Sequence, residues 1–194
     1  MSQPITTTLL SPVALACFLL TAAVGLAADQ WSKHAAFSRL CDGVVWFDGK
    51  PQPVNPRVVH LVPAGLVDLT VTTNQGAVFG IGQGRRALFI SVSAAAILFI
   101  GFLFATSGRQ RIYQIILGML LAGVLGNLYD RLQFSYVRDM IHGLPRWPNL
   151  FPYIFNVADT LLCVGVGLMI VYSFFQTPPR AAEVPAVVDQ PKAA

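Results

Sequence analysis

Apolar residues cluster in four long runs along the chain, separated by two long polar segments and one short one. The runs cover roughly residues 11–28, 87–106, 112–128 and 154–175. A helix crossing a bilayer needs about twenty consecutive apolar residues, and each run meets or approaches that length. The pattern predicts a membrane all-α fold with four transmembrane helices. Only residues 107–111 separate the second and third runs, so these two helices form a tight antiparallel pair. Residues 29–86 and 129–153 are the long connections. With four alternating spans both lie on one side of the membrane, and the two termini and the short turn lie on the other.

Within residues 29–86, the stretch VDLTVTTNQGAVFG alternates apolar and polar positions from Asp68 to Thr73 and then reaches glycines. That predicts a short strand and a turn, so a small β-containing segment is expected between spans one and two. Residues 41–56 are rich in Gly, Pro and Asp and read as an irregular excursion. Residues 1–176 form the membrane domain in this reading, and residues 177–194 form a disordered tail. The first run admits a second reading as a cleaved signal peptide. Residues 1–10 carry no Lys or Arg, whereas signal peptides have a basic start, which argues against it.

Composition sharpens this picture. Hydrophobic residues make up 55% of the 194 and charged residues only 11%, well below the roughly one quarter of a soluble domain. Charges are costly at bilayer depth, so a lipid-facing surface explains the shortfall. The net charge is +4, but Lys and Arg are scattered without interleaved aromatics. Attraction to membrane lipids fits this better than nucleic-acid binding. Loop charge leaves orientation open. Arg109, Arg111, Arg180 and Lys192 lie on the side of the termini and the other nine basic residues on the opposite side, yet the short turn has the greater local density. Cys17, Cys41 and Cys163 read as buried small hydrophobes, and His34, His60 and His142 form no ligand motif, so neither a metal nor a cofactor is expected.

The topology gathers the acids at one membrane face. Asp159, in FNVADTLL, lies about one turn inside the fourth span, where a carboxylate is expensive unless protonated, paired or hydrated. Asp139, in YVRDMIHG, lies twenty residues earlier in a loop that returns to the same face. Two carboxylates that meet share a proton, and their pKa values split. The ionised member then activates water while the protonated one polarises a carbonyl, and a peptide bond is cut without metal or covalent intermediate. The competing readings are an ion pair of Asp159 with Arg131 or Arg138, and Asp139 as an exposed loop acid. GNLYDR places Asn127, Asp130 and Arg131 at the end of the third span. Arg131 offers a donor fork suited to phosphate or carbonyl groups, or it snorkels to headgroups. In DQWSK, Asp29 and Lys33 are spaced for an i,i+4 ion pair, although plain membrane anchoring explains the motif as well. Asn74 and Gly76 offer an amide and backbone groups to an extended ligand, or make an ordinary turn.

Taken together, DQWSK, NQGAVFG, GNLYDR, VRDM and FNVAD, in that order, resemble the lipoprotein signal peptidase (signal peptidase II) family. The resemblance spans Asp29 to Asp159. It implies Asp139 and Asp159 as the catalytic pair. It implies substrate positioning by Asn127 and Arg131 with Asn156, Asn74 and Gly76, and support from Asp29, Lys33 and Asp130. It further implies a prolipoprotein substrate with a diacylglyceryl-modified cysteine, cut just before that cysteine. The same resemblance implies the bacterial inner membrane, cytoplasmic termini, an active site at the outer face and therefore an extracytoplasmic β-containing segment. Met140 stands where the family pattern has Phe, and residues 41–56 make the first long segment longer than the pattern. A small proton-coupled transporter subunit is the competing class. It predicts acids spread through the depth of several spans, which spans two and three lack. A non-catalytic assembly factor is a third.

Overall fold

A computed structural model describes residues 11–62, 66–76, 82, 84–151 and 153–175. Residues 77–80 of the NQGAVFG motif and the expected tail, 177–194, lie outside the described residues. Among the described residues, four helices are long and apolar enough to cross a membrane: α1 (Pro12–Leu40), α2 (Arg86–Ala105), α3 (Arg111–Phe134) and α4 (Val157–Phe174). Each of the four expected spans coincides with one of them. Helix α1 runs twelve residues beyond the apolar run that announced it, so DQWSK lies on the helix rather than in a loop. Near its start it makes a π-helical turn at Ala16–Leu20, beside which the Thr21 hydroxyl donates to the Cys17 carbonyl at 2.7 Å.

The helices pack most closely where side chains are smallest. A Cβ on Gly118 would lie 2.6 Å from the Phe18 carbonyl oxygen, one on Gly123 2.6 Å from that of Ala158, and one on Gly126 2.5 Å from Asp29 Oδ2. Helix α3 is thereby seated between α1 and α4. Small residues serve this purpose in membrane bundles, where helix contact depends on packing rather than on escape from water.

Among the described residues, six strands lie between the spanning helices: β1 (Val44–Phe47), β2 (Lys50–Pro53), β3 (Val59–His60), β4 (Val67–Asn74), β5 (Val137–Gly143) and β6 (Ile154–Phe155). Strands β3–β4–β5–β6 form one antiparallel sheet in that order, and β1–β2 form a separate hairpin. The hairpin corrects the expectation of an irregular excursion over residues 41–56. Asp48 and Gly49 turn it with φ of 49° and 70°, the two positive values that a tight two-residue hairpin requires and that Asp-Gly supplies. The second correction is that the second long connection also contributes strands. Val137, Arg138, Asp139 and Met140 are all buried, so β5 has no alternation to betray it. Ser135, in the left-handed region at φ 71°, ends α3 and turns the chain into β5.

Candidate active site

Strand β5 and the start of α4 carry the two expected acids to a common point. Asp139 is opposite Thr72 of β4 and 1% exposed. Asp159 is the third residue of α4, and Asn156 caps that helix. The Asn156 side-chain oxygen accepts from the Asp159 backbone N–H at 2.9 Å, and the Asn156 N–H donates to Asp159 Oδ2 at 3.3 Å. This reciprocal box satisfies two of the helix's orphan donors. Asp29 satisfies a third from a different helix, accepting at Oδ1 from the Ala158 N–H at 2.8 Å.

Two asparagine amides then join the acids. Asn156 Nδ2 donates to Asp139 Oδ1 at 2.6 Å and to Asn127 Oδ1 at 3.2 Å. Asn127 Nδ2 donates to Asp159 Oδ1 at 2.8 Å. Lys33 Nζ donates to Asn127 Oδ1 at 3.2 Å, which orients that amide with its N–H groups toward Asp159. Burial raises the Asp139 carboxyl to about 8, with the Asp159 charge adding to the effect. Hydrogen bonds from Asn156 and Asn74 and the charge of Lys33 oppose it. Asp139 therefore holds a proton at neutral pH.

A second set of charges sits behind the pair. Lys33 is fully buried, 2.8 Å from Asp29 and 3.2 Å from Asp130. Asp130 also accepts from the Arg138 backbone N–H at 2.9 Å and from its guanidinium at 2.7 Å. Two cations and two anions neutralise one another here, which is how a buried ionic cluster becomes tolerable. Because Arg138 precedes Asp139, Asp130 fixes the strand that presents the acid. The alternative pairing of Asp159 with Arg131 or Arg138 is not made. Arg138 is taken by Asp130, and Arg131 donates to the carbonyls of Gly76 at 2.8 Å and Asn127 at 3.3 Å and lies over the Phe89 ring.

Asp139 and Asp159 line a cavity of about 370 Å³ whose other walls are largely apolar, among them Tyr153, Ile154, Phe155, Cys163 and Val164. A second cavity, about 180 Å³, reaches Asp159 from the other side between α2 and α3 and includes Arg131 and Asn127 in its lining. Asn74 borders both. Its side-chain oxygen accepts from the Gly76 N–H at 2.9 Å, so the NQG turn and the acid pair share one amide.

The signal peptidase (SPase) II family matches residues 21–175. The lipoprotein signal peptidase of Rhodopirellula baltica is 35% identical over 176 residues, covering 82% of this chain and 72% of that one. That of Latilactobacillus sakei is 43% identical over 114 residues, 58% of this chain and 73% of its own. A bacterial membrane enzyme of known structure superposes with a TM-score of 0.66 at 25% identity, covering 86% of this chain and 93% of that one. The chain belongs to the signal peptidase II family.

Every residue that the family resemblance pointed to lies in or against this one cluster. Among them, Asp29 and Asp130 face the buried cations and a helix terminus rather than the cavity, and Arg131 is occupied with the NQG turn. Sequence reasoning missed Gln30, and it offered Arg138 only as a partner for Asp159, whereas Arg138 pairs with Asp130. Gln30 donates to the Gly126 carbonyl at 3.2 Å and accepts from Arg138 Nη2 at 2.8 Å, tying α1 to α3 and β5. Both sit inside the quoted motifs, DQWSK and VRDM, which was the available pointer. Met140 is 2% exposed and packs with Ala36, Leu40, Cys41 and Val71. Its flexible side chain fills that gap in place of an aromatic ring.

Proposed function

We propose that this signal peptidase II family member removes signal peptides from prolipoproteins with Asp139 and Asp159 as its catalytic pair. The observation that carries the reading is two carboxylates linked through Asn156 and Asn127 at the wall of an apolar cavity, at one end of a membrane bundle. In this mechanism the pair shares one proton, placed on Asp139, whose carboxyl is raised by burial to about 8. Asp159 takes a proton from a water while Asp139 donates its own to the oxygen of the scissile carbonyl. The hydroxide adds to the carbonyl carbon and forms a neutral tetrahedral diol. Asp139, now ionised, takes a hydroxyl proton back as the C–N bond breaks, and Asp159 passes its proton to the leaving amine. The acids end as they began, and no covalent intermediate forms.

The substrate in this reading carries a diacylglyceryl-modified cysteine and is cut just before it. The apolar walls around the acids suit acyl chains and an apolar signal segment. Asn74, Gly76, Asn127, Arg131 and Asn156 position the peptide, with Arg131 acting through its hold on the Gly76 carbonyl as well as by contact. Asp29, Lys33 and Asp130 support the site from behind. The sheet and both cavities face outward from the bacterial inner membrane, and both termini lie in the cytoplasm. A transporter reading finds no support, since the acids of the spanning helices, the buried Asp29 and Asp130 and the half-buried Asp159, collect at one end.

The test is release of the signal peptide from a lipidated precursor by purified protein. Folded Asp139→Asn and Asp159→Asn proteins are expected to be inactive, and near-normal turnover by either overturns the mechanism. Reporter fusions at Pro53 and at the C-terminus check the orientation and are expected to report opposite compartments.

A further inference from the structure

The β1–β2 hairpin exposes apolar side chains on both of its faces. Trp46 is opposite Pro51, and Pro51 is buried, so this face turns toward the body of the protein. The other face carries Val45 and Phe47, 52% and 69% exposed, opposite Gln52 and Lys50. In water such a face is a liability.

What lies beside the hairpin indicates what covers it. Trp46 meets Tyr136 edge-on at 6.4 Å, Tyr136 lies 5.9 Å from Phe134, and Phe134 lies 6.4 Å from Tyr129. The ladder is continuous from the hairpin to the end of α3, where Tyr129 and Leu132 are half exposed on the outside of a membrane-spanning helix. Counted from Arg111 at about 1.5 Å per residue, Leu132 lies ~30 Å along α3, which is the thickness of a hydrocarbon core. Arg86, at the start of α2, donates to the carbonyls of Arg131 and Leu132 at the same level. The ladder therefore stands at the boundary where aromatic rings collect in membrane proteins.

We infer that the β1–β2 hairpin lies in the lipid interface, with Val45 and Phe47 in contact with the acyl-chain boundary and Trp46 continuing the aromatic belt of α3. Asp48 in the turn and Lys50 beside it carry opposite charges, so the attraction is apolar and aromatic, independent of headgroup charge. Lys50 has the reach to keep its ammonium in the headgroups while Phe47 is below them. The Thr73 hydroxyl donates to the Pro51 carbonyl at 2.5 Å, one residue from Thr72, the partner of Asp139, and from Asn74. A hairpin seated in the interface thus holds the active-site sheet at the depth of a lipid-anchored substrate. The inference concerns lipid contact and stands apart from the peptidase mechanism.

Full-length protein in phosphatidylcholine nanodiscs tests it, with Phe47→Trp as reporter in a background of Trp31→Phe, Trp46→Phe and Trp147→Phe. A second reporter keeps Trp46 as the sole tryptophan, in case the first perturbs the hairpin. With acyl chains brominated near the headgroup, both reporters are expected to lose much of their emission, because tryptophans at the interface lie beside that part of the chains. Acrylamide in the water is expected to reach them poorly, and salt is expected to change neither result. Adding Val45→Ser and Phe47→Ser to the Trp46 reporter is expected to weaken the bromine effect. Reporters that acrylamide quenches freely and bromine does not would overturn the inference, whatever the protein then does to its substrate.

Discussion

The two ends of the helix bundle are both buried, by opposite means. Near the turn between α2 and α3, the interior is mainly apolar, with Ser107 and Gln114 as buried polar side chains beside the turn. Phe18 stacks on Phe104 at 4.2 Å, and Ile100, Ile116, Leu117 and Leu120 fill the space around them. At the other end the same helices bury Asp29, Lys33, Asn127, Asp130 and Asn156 with hardly any exposure. The apolar end gains stability from close contact and is indifferent to which atoms make it. The polar end is stable only while every donor meets its acceptor, because removing one partner leaves another group buried and unpaired. What it gains is geometry: amides and charges that hold two carboxylates in fixed relation. The difference suggests that substitutions will separate stability from activity according to the end at which they fall.

The largest effect is expected at the acids themselves. Asp139→Asn and Asp159→Asn each remove the proton relay and should lower turnover by about 10³-fold or more, with no loss of thermal stability at neutral pH. Because the two act together, the double variant should be scarcely worse than either single one. Release of the signal peptide and a melting curve measure both quantities.

The comparison is sharpest between Asp130→Ala and Leu117→Ala. Asp130→Ala strands Lys33 and Arg138 in the interior and should cost about 3–5 kcal/mol, with activity lost even where the protein stays folded, since β5 is no longer pinned. Leu117→Ala opens a void at the apolar end and should cost about 2–5 kcal/mol, yet the folded fraction should retain its turnover. Equal specific activity of the two folded variants would break the distinction between the ends.

The pH dependence adds a smaller test. The Asp139 carboxyl is raised to about 8 in the folded protein against an ordinary value of 3.8. The folded state therefore holds a proton that the unfolded state has already released. Stability should fall as pH rises from about 4 to about 8 and then level off, and Asp139→Asn should flatten this slope. Activity should fall above pH 8, where the shared proton is lost.

The smallest effect is expected at Gln114. Its Nε2 donates to Ser107 Oγ at 3.0 Å and to the Gly108 carbonyl at 2.9 Å, while its Oε1 has no hydrogen-bond partner among the described residues. Gln114→Met exchanges those bonds for relief of a buried orphan acceptor, and the two should nearly cancel, within about 1 kcal/mol. Turnover should be unchanged, as befits the end remote from the acids.

The four spans were legible because a bilayer demands a length of apolar residues that no other context requires. The convergence of Asp29, Asn127, Asp130, Asp139 and Asp159 on one end followed from span number and loop length alone. The β1–β2 hairpin was also present in the sequence, in the Asp-Gly between two short strands, but the Pro and Gly around it masked the pattern. Strand β5 was not legible, since it is buried on both faces and so lacks alternation.

What only the tertiary structure decided is which polar group meets which. Sequence spacing announced Lys33 as a partner for Asp29, one helical turn away, but not for Asp130 and Asn127, nearly a hundred residues on. It placed Arg131 and Arg138 equally near the acids, whereas the fold gives Arg138 to Asp130 and Arg131 to the Gly76 carbonyl. Span number and loop length are local properties of a chain in a bilayer, and one sequence carries them whole. Hydrogen bonds act over about 3 Å, so a pairing between distant segments exists only once packing, here through Gly123 and Gly126 against Ala158 and Asp29, has brought the helices to that distance.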